Sequence, residues 1–256
     1  MARGQKTEAE TTSLDELGRW MWETTTLALE NMRTTFRVEI QVPVDAEQFS
    51  GVSSSRRFEP AVQEIRAFRA EILYAAGRRP FFRSANGGFA DSEEADTHAY
   101  HITCRDKSGG LLGCLRLARP DLLRSSAVEA HLGPKRAARL VRELGIDRTR
   151  LLEAGRLVVA ADQRRQGVAA AILLTALVLG RWTGRPVIWA TAGERDGQNS
   201  YFTRFGSSVL PGSSRYVPVY DDTVCVVTHD QRLLVPLIQQ CIGMAELAVR
   251  GADDQF

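Results

Sequence analysis

LLEAGRLVVA at residues 151–160, ADQRRQGVA at 161–169 and AAILLTALVLGRWTG at 170–184 follow one another directly, and their order decides the fold. The first block has the Leu and Val content of a strand. The second is polar and carries a glycine, and the third opens as an apolar helix rich in Ala and Leu. A turn that leaves a strand and enters a helix exposes unpaired backbone N–H groups at the positive end of the helix dipole, where a phosphate is stabilised. Arg164, Arg165, Gln166, Gly167, Val168 and Ala169 occupy that turn. Gly167 is expected to let the backbone approach a ligand closely, and Ala169 to keep the first helical turn free of bulk. The plain alternative is an ordinary helix start.

Working outward, alternation at Ala99, His101 and Thr103, then LLGCLRL at 111–117 across the turn at Ser108–Gly110, predicts a β-hairpin. Residues 126–144 read as a helix stopped by Gly145. Downstream, VIWAT at 187–191 reads as a buried strand, NSYFTRFG at 199–206 as a short helix and TVCVVTH at 223–229 as a last strand, before an apolar helix near 232–249. Upstream, Pro60 suits the first turn of a helix in which Val62, Ile65, Phe68, Arg69 and Ile72 share one side and which ends at Gly77. Ser13 with Glu16 forms a capping-box pattern ahead of a helix of about 20 residues with an apolar face. Residues 35–55 read as a connector. The expected division is a helical extension over 1–55, a main domain over 56–231 and a terminal helix and tail over 232–256.

The chain has 256 residues, 44% hydrophobic and 25% charged, which fits a folded globular protein. Lys and Arg number 33 against 31 Asp and Glu, a formal charge of +2 that is too small for non-specific nucleic-acid binding. Cys104, Cys114, Cys225 and Cys241 lie far apart without CxxC spacing and read as reduced packing residues. No apolar stretch of about 18 residues occurs and the first ten residues have no signal-peptide pattern, so the expectation is a cytoplasmic protein without membrane insertion. His98, His101, His131 and His229 show no metal-ligand spacing, and no metal is expected.

The R-x-x-G-x-A pattern at Arg164–Ala169 resembles the acyl-CoA cradle of the GNAT superfamily of N-acyltransferases, and the likeness spans about residues 58–230. It implies a mixed α/β fold with a mostly antiparallel central sheet flanked by helices, here with an added helix at each end. In that superfamily the segment similar to YFTRFG supplies a Tyr four residues before the Gly, and Phe202 stands there instead, with Tyr201 beside it. GCLRL at 113–117 and EAGRL at 153–157 look like the G-x-x-R-L and E-x-x-R elements of acyl-homoserine-lactone synthases. Glu93 and Asp96 look like their D-x-x-D pair, and Arg69 like their N-terminal Arg. The N-acyl amino acid synthases that make N-acyl-tyrosines are similar in the same way.

The resemblance implies an acyl chain longer than acetyl, carried as acyl-CoA or on acyl carrier protein, and delivered to the amine of a small molecule such as an amino acid. Aminolysis of a thioester requires a proton acceptor, an oxyanion site and alignment of the two reactants. Glu153 is the expected general base, with a structural pair to Arg156 or Arg116 as its alternative role. Backbone N–H groups of Leu157, Val158 and Val159 are expected to serve the oxyanion and the donor. Arg69 and Arg116 are expected to hold an acceptor carboxylate bidentately, against the alternative of ion pairing with Glu93 or Asp96. Glu153 and Arg156 point to opposite faces of a regular strand, so a bulge between them is expected to re-aim one. The competing functions are an acyl-homoserine-lactone synthase, an acetyl-CoA-dependent transferase and a non-catalytic acyl-thioester-binding module. The terminal helices would line an acyl pocket, cover the core or form a homodimer contact.

Overall fold

The computed structural model describes residues 14–43, 58–91 and 93–253. In chain order the elements are α1 (Leu14–Thr34), β1 (Phe36–Gln41), α2 (Phe58–Ala75), β2 (Ala99–Asp106), β3 (Leu111–Ala118), α3 (Ala127–Leu132), α4 (Pro134–Glu143), β4 (Leu151–Val159) and α5 (Val168–Trp182). They continue with β5 (Val187–Gly193), α6 (Gln198–Arg204), β6 (Ser208–Val209), β7 (Arg215–Val217), β8 (Asp222–Asp230) and α7 (Pro236–Asp253). The eight strands form one sheet in the order β1-β2-β3-β4-β5-β8-β6, with β7 also on β8. Among the described residues only the β4–β5 pair is parallel. This is the mixed, mostly antiparallel sheet flanked by helices that the sequence implied.

The two sheet faces are covered by different helices. α5 is hydrophobic nearly all round and buries Ala170, Ile172, Leu174, Val178 and Leu179 against Leu115, Leu117, Leu152 and Ala154. A helix of that character must be enclosed, and α1 and α7 enclose it, packing on α5 and on each other. On the opposite face, Ile65 of α2, with Phe68, Ile72 and Leu73, packs on Cys114 and Val158. α3 and α4 cover Leu151, Val187 and Trp189 farther along that face.

Two local expectations need correction. Residues 36–41, read as part of a connector, pair with β2 from Phe36↔Asp106 to Gln41↔His101 and close one edge of the sheet. The partner 60 to 70 residues away, which decides this pairing, leaves no mark in FRVEIQ itself. The helix expected over 126–144 is broken in two, because Gly133 sits at φ 81° and Pro134 cannot continue the preceding turn. Its stop is as expected, with Gly145 left-handed at φ 62°. Ser13 and the boundary expected near residue 55 lie outside the described residues.

The four cysteines are buried and unpaired. Among the described residues no helix is long and apolar enough to cross a membrane.

Candidate active site

β4 leaves β5. Their pairing runs from Leu151↔Val187 to Ala154↔Ala190 and stops there, while β4 stays on β3 as far as Val159↔Gly113. From Gly155 onward the edge of β4 that faces β5 has no strand partner among the described residues, so alternate peptide groups of Gly155–Val159 open onto the gap. A cavity of about 510 Å³ fills it. Leu157, Val158 and Val159 line it, together with Arg164 and Ala169 from the start of α5. Ala76, Arg78 and Arg79 from the end of α2 and just beyond line it as well. Because α5 and α2 lie on opposite faces, the cavity passes through the sheet.

The expected bulge is present. Arg116 pairs with Gly155 and Cys114 with Val158, so Leu115 faces two residues, Arg156 and Leu157. Arg156 takes the left-handed conformation at φ 58°, which costs an L-residue roughly 1–2 kcal/mol. The bulge turns its guanidinium onto Asp91, with Nε 2.9 Å from Oδ2, and onto Glu93.

Arg69, Arg116, Glu93 and Asp96 become the nodes of an ion-pair network that Arg156 joins. Arg69, with no solvent exposure, donates from Nη1 to Asp96 Oδ1 at 2.9 Å and from Nη2 to Oδ2 at 2.6 Å. Its Nε lies 2.6 Å from Asp91 Oδ2. Arg116 Nη1 donates to Glu93 Oε2 at 2.5 Å and to Asp96 Oδ1 at 3.1 Å. Arg66 completes Asp96 at 2.9 Å. Burial works against the charge on Asp96, but the hydrogen bonds and charges of Arg69, Arg116 and Arg66 hold its carboxyl well below the usual range. Glu93 is lowered in the same way by Arg116 and Arg156, against its own burial. His101 donates from Nε2–H to the Asp96 carbonyl at 2.9 Å, and burial pulls its pKa down to about 4.

This arrangement corrects the expectation for Arg69. Its guanidinium is matched on two carboxylates beneath the cavity wall, and neither Arg69 nor Asp96 lines the cavity, whereas Glu93, Arg116 and Arg156 do. The structure places no pair between Glu153 and Arg156 or Arg116. Glu153, 3% exposed, accepts from the backbone N–H groups of Ala127 and Val128 at 2.9 Å each, capping the first turn of α3. Glu153 still lines the cavity.

The turn before α5 has its free N–H groups, since Gly167 at φ 78° offers no side-chain cap. Its glycine has another cause than ligand approach. A Cβ there would lie 3.0 Å from Cα and 3.2 Å from N of Ala28 on α1, and Asn31 of α1 donates to the Gln166 carbonyl at 2.8 Å. Likewise a Cβ on Gly113 would meet Val168 and Ile172 at 2.9 and 3.0 Å. Both glycines let helices close on the sheet region. Arg164 and Arg165 are exposed, Arg165 at φ 74°.

α6 lies at the far side of the gap. Tyr201 and Phe202 both line the cavity. Tyr201 packs edge-on against Trp20 at 5.8 Å and beside Phe205 at 5.3 Å, and burial pushes its phenol above the usual range. Beneath, an apolar hollow of about 40 Å³ between the sheet and α5 shares Leu115, Ala154, Ala190 and Phe202 with the main cavity and ends at Ser207 and His229. Asp91, Arg79, Tyr220 and Asp222 escaped the sequence reading. Asp91 had a signal, as the first of three acids with Glu93 and Asp96. The others had none, because only the sheet brings residues 79 and 220 together.

Residues 65–174, from α2 through the first turns of α5, match the family model described as an acetyltransferase (GNAT) domain. The match spans less than half of the chain, and over that stretch the chain is similar to a GNAT acetyltransferase domain. Its fold is similar to that of solved acyl-homoserine-lactone synthases. One is the CoA-dependent synthase BjaI with SAM and isopentyl-CoA, at TM-score 0.56 and 18% identity, covering 80% of this chain and 97% of that one. Another is the CoA-dependent synthase MesI, at TM-score 0.55 and 15% identity, covering 83% and 95%. Similar too is the structure of TofI in a ternary complex with an inhibitor and MTA, at TM-score 0.55 and 12% identity, covering 82% and 99%. At such identities the likeness is one of fold. No curated protein sequence matches this chain. Among the described residues no group of three or more His, Cys, Asp or Glu is placed to hold a metal ion.

Proposed function

We propose that this enzyme moves an acyl chain from acyl-CoA or acyl carrier protein to the amine of a small molecule such as an amino acid. The observation that carries this is the gap where β4 parts from β5. It exposes strand peptide groups inside a cavity whose one mouth holds the α5 N-terminus and whose other holds charged side chains. A pantetheine arm lies along the unpaired edge of β4, with its phosphate at the free N–H groups before α5 and near Arg164. The first acyl carbons enter the hollow beneath Leu115 and Phe202. N–H groups of Leu157–Val159 stabilise the negative oxygen as the amine attacks the thioester carbon, and the C–S bond then breaks to release the thiolate. Glu153 takes the ammonium proton through water, and Tyr201 returns one to the thiolate.

Glu153 also caps α3, so its variant must be read on two scales. Glu153→Gln keeps one acceptor oxygen and is expected to cost about 1 kcal/mol of stability. As a general base its loss lowers turnover by about 10²- to 10⁴-fold. A variant that changes only the denaturation midpoint would leave Glu153 as a cap alone. The reaction itself is tested by following thiol release and acylated product by mass spectrometry with octanoyl-CoA and octanoyl-acyl carrier protein against a panel of amines. No amine-dependent thiol release from either donor would sink the reading.

A second reading, an acyl-homoserine-lactone synthase, is favoured by one specific feature. The residues that resemble those synthases' motifs, Arg69, Glu93, Asp96, Arg116 and Arg156, converge in one network. Methylthioadenosine release from S-adenosylmethionine would separate the two.

A further inference from the structure

Just past α2, Arg79 is 92% buried yet lines the cavity. Its guanidinium carbon stands 3.7 Å from the centroid of the Tyr220 ring, and its Nη1 donates to the Arg78 carbonyl at 3.0 Å. Other arginines of the same wall are matched by carboxylates: Arg78 by Asp222 and Asp196, Arg116 by Glu93 and Asp96, and Arg156 by Asp91 and Glu93. Among the described residues no carboxylate lies at ion-pair distance from Arg79. The nearby charges that act on it include Arg156 and Arg78, which repel it, and Asp91, which attracts it while already serving Arg69 and Arg156. A buried charge without a partner is expensive. Stacking on an aromatic ring fixes the plane of a guanidinium without neutralising it, so the remaining N–H groups stay free for an anion.

We propose that Arg79, held over the Tyr220 ring, binds the carboxylate of the acceptor and so makes the enzyme select amines that carry an acid group. The proposal rests on the acyl-transfer reading above and adds the acceptor's chemical class. The side of the sheet favours the acceptor over the donor. Arg79 follows α2, on the face opposite α5, whereas the phosphate-binding turn begins α5. A carboxylate presents two oxygens to two parallel N–H groups of a guanidinium, which a neutral amine cannot match.

The test uses a matched pair of acylated amines, N-octanoylphenylalanine and N-octanoylphenethylamine, which differ only in the carboxylate. Their dissociation constants are measured by calorimetry on the full chain and on Arg79→Met and Arg79→Lys. Methionine can occupy the space over Tyr220 without a charge, and lysine keeps the charge without the fork. The expected result is a preference of the unaltered protein for the acid by about 10- to 100-fold, falling towards one in Arg79→Met and kept in part in Arg79→Lys. Equal binding of the pair by the unaltered protein would overturn the assignment while leaving acyl transfer intact. A preference that survives in both variants would overturn it too, as would a variant whose only change is weaker binding of coenzyme A, since Arg79 would then serve the donor. Failure of both compounds to bind would remove the acyl-transfer reading and this proposal together.

Discussion

Arg69 and Arg79 are ten residues apart, both nine-tenths buried or more, and they meet their charge in opposite ways. Arg69 stands on α2 with two carboxylates around it and donates to the Asp91 carbonyl as well, at 2.7 Å. Arg79 stands beyond the helix with an aromatic ring and a carbonyl. The first arrangement is complete without a ligand, and the second is not. Structural and substrate-facing arginines therefore differ here in their partners and not in their depth.

The widest separation between the two should come from truncating each to methionine. Arg69→Met strands Asp91 and Asp96 in the interior, and its expected cost is about 3–5 kcal/mol in urea denaturation. Arg79→Met removes an unmatched charge, so its midpoint should be unchanged or higher. Equal losses in the two variants would erase the distinction.

Acid sharpens the same contrast. Asp96 and Glu93 have carboxyls held below their usual range, so the stability they contribute is present above the ordinary carboxylate range and is lost as pH falls through the folded-state values. His101 adds to this in a higher window. Its folded pKa of about 4 lies below the ordinary 6.5, so between those values the unfolded chain binds a proton that the folded chain refuses, and stability falls as pH is lowered across it. His229, likewise about 4 through burial, acts in the same direction. Midpoints measured from pH 7 to pH 4 should decline steadily. His101→Asn should flatten that slope, and an unchanged slope would exclude His101 as a source of it.

The turn before α5 gives a smaller effect. Gly167→Ala forces an alanine into φ 78° against the α1 backbone, an expected cost of about 1–3 kcal/mol. Arg164→Ala should be smallest. It removes an exposed side chain from the donor mouth, leaves the midpoint within about 0.5 kcal/mol and raises KM for the acyl donor several-fold at unchanged kcat. A change in kcat instead would place Arg164 nearer the reaction than the structure does.

Much of the frame was legible because local patterns carry it. The strand–turn–helix of residues 151–182, the hairpin at 99–118 and the apolar face of α2 each follow from periodicity and turn residues within a short window. A bulge in β4 was also expected, because alternation sets Glu153 and Arg156 on opposite faces of a regular strand. The roles within the site were less so. Glu153 turned out to face the amides of Ala127 and Val128, and Gly167 the backbone of α1. Both partners arrive from elements distant in sequence.

The sequence alone determined that a strand would lead through a free-ended turn into a buried helix, and that arginines and acids would gather around it. Those are properties of neighbouring residues and of side-chain chemistry. Only the tertiary structure decided which arginines are neutralised. Pairing depends on the angle at which α2 crosses the sheet, on the parting of β4 from β5 and on the return of Tyr220 beside residue 79. Each of these is set by contacts between segments that the chain order keeps far apart.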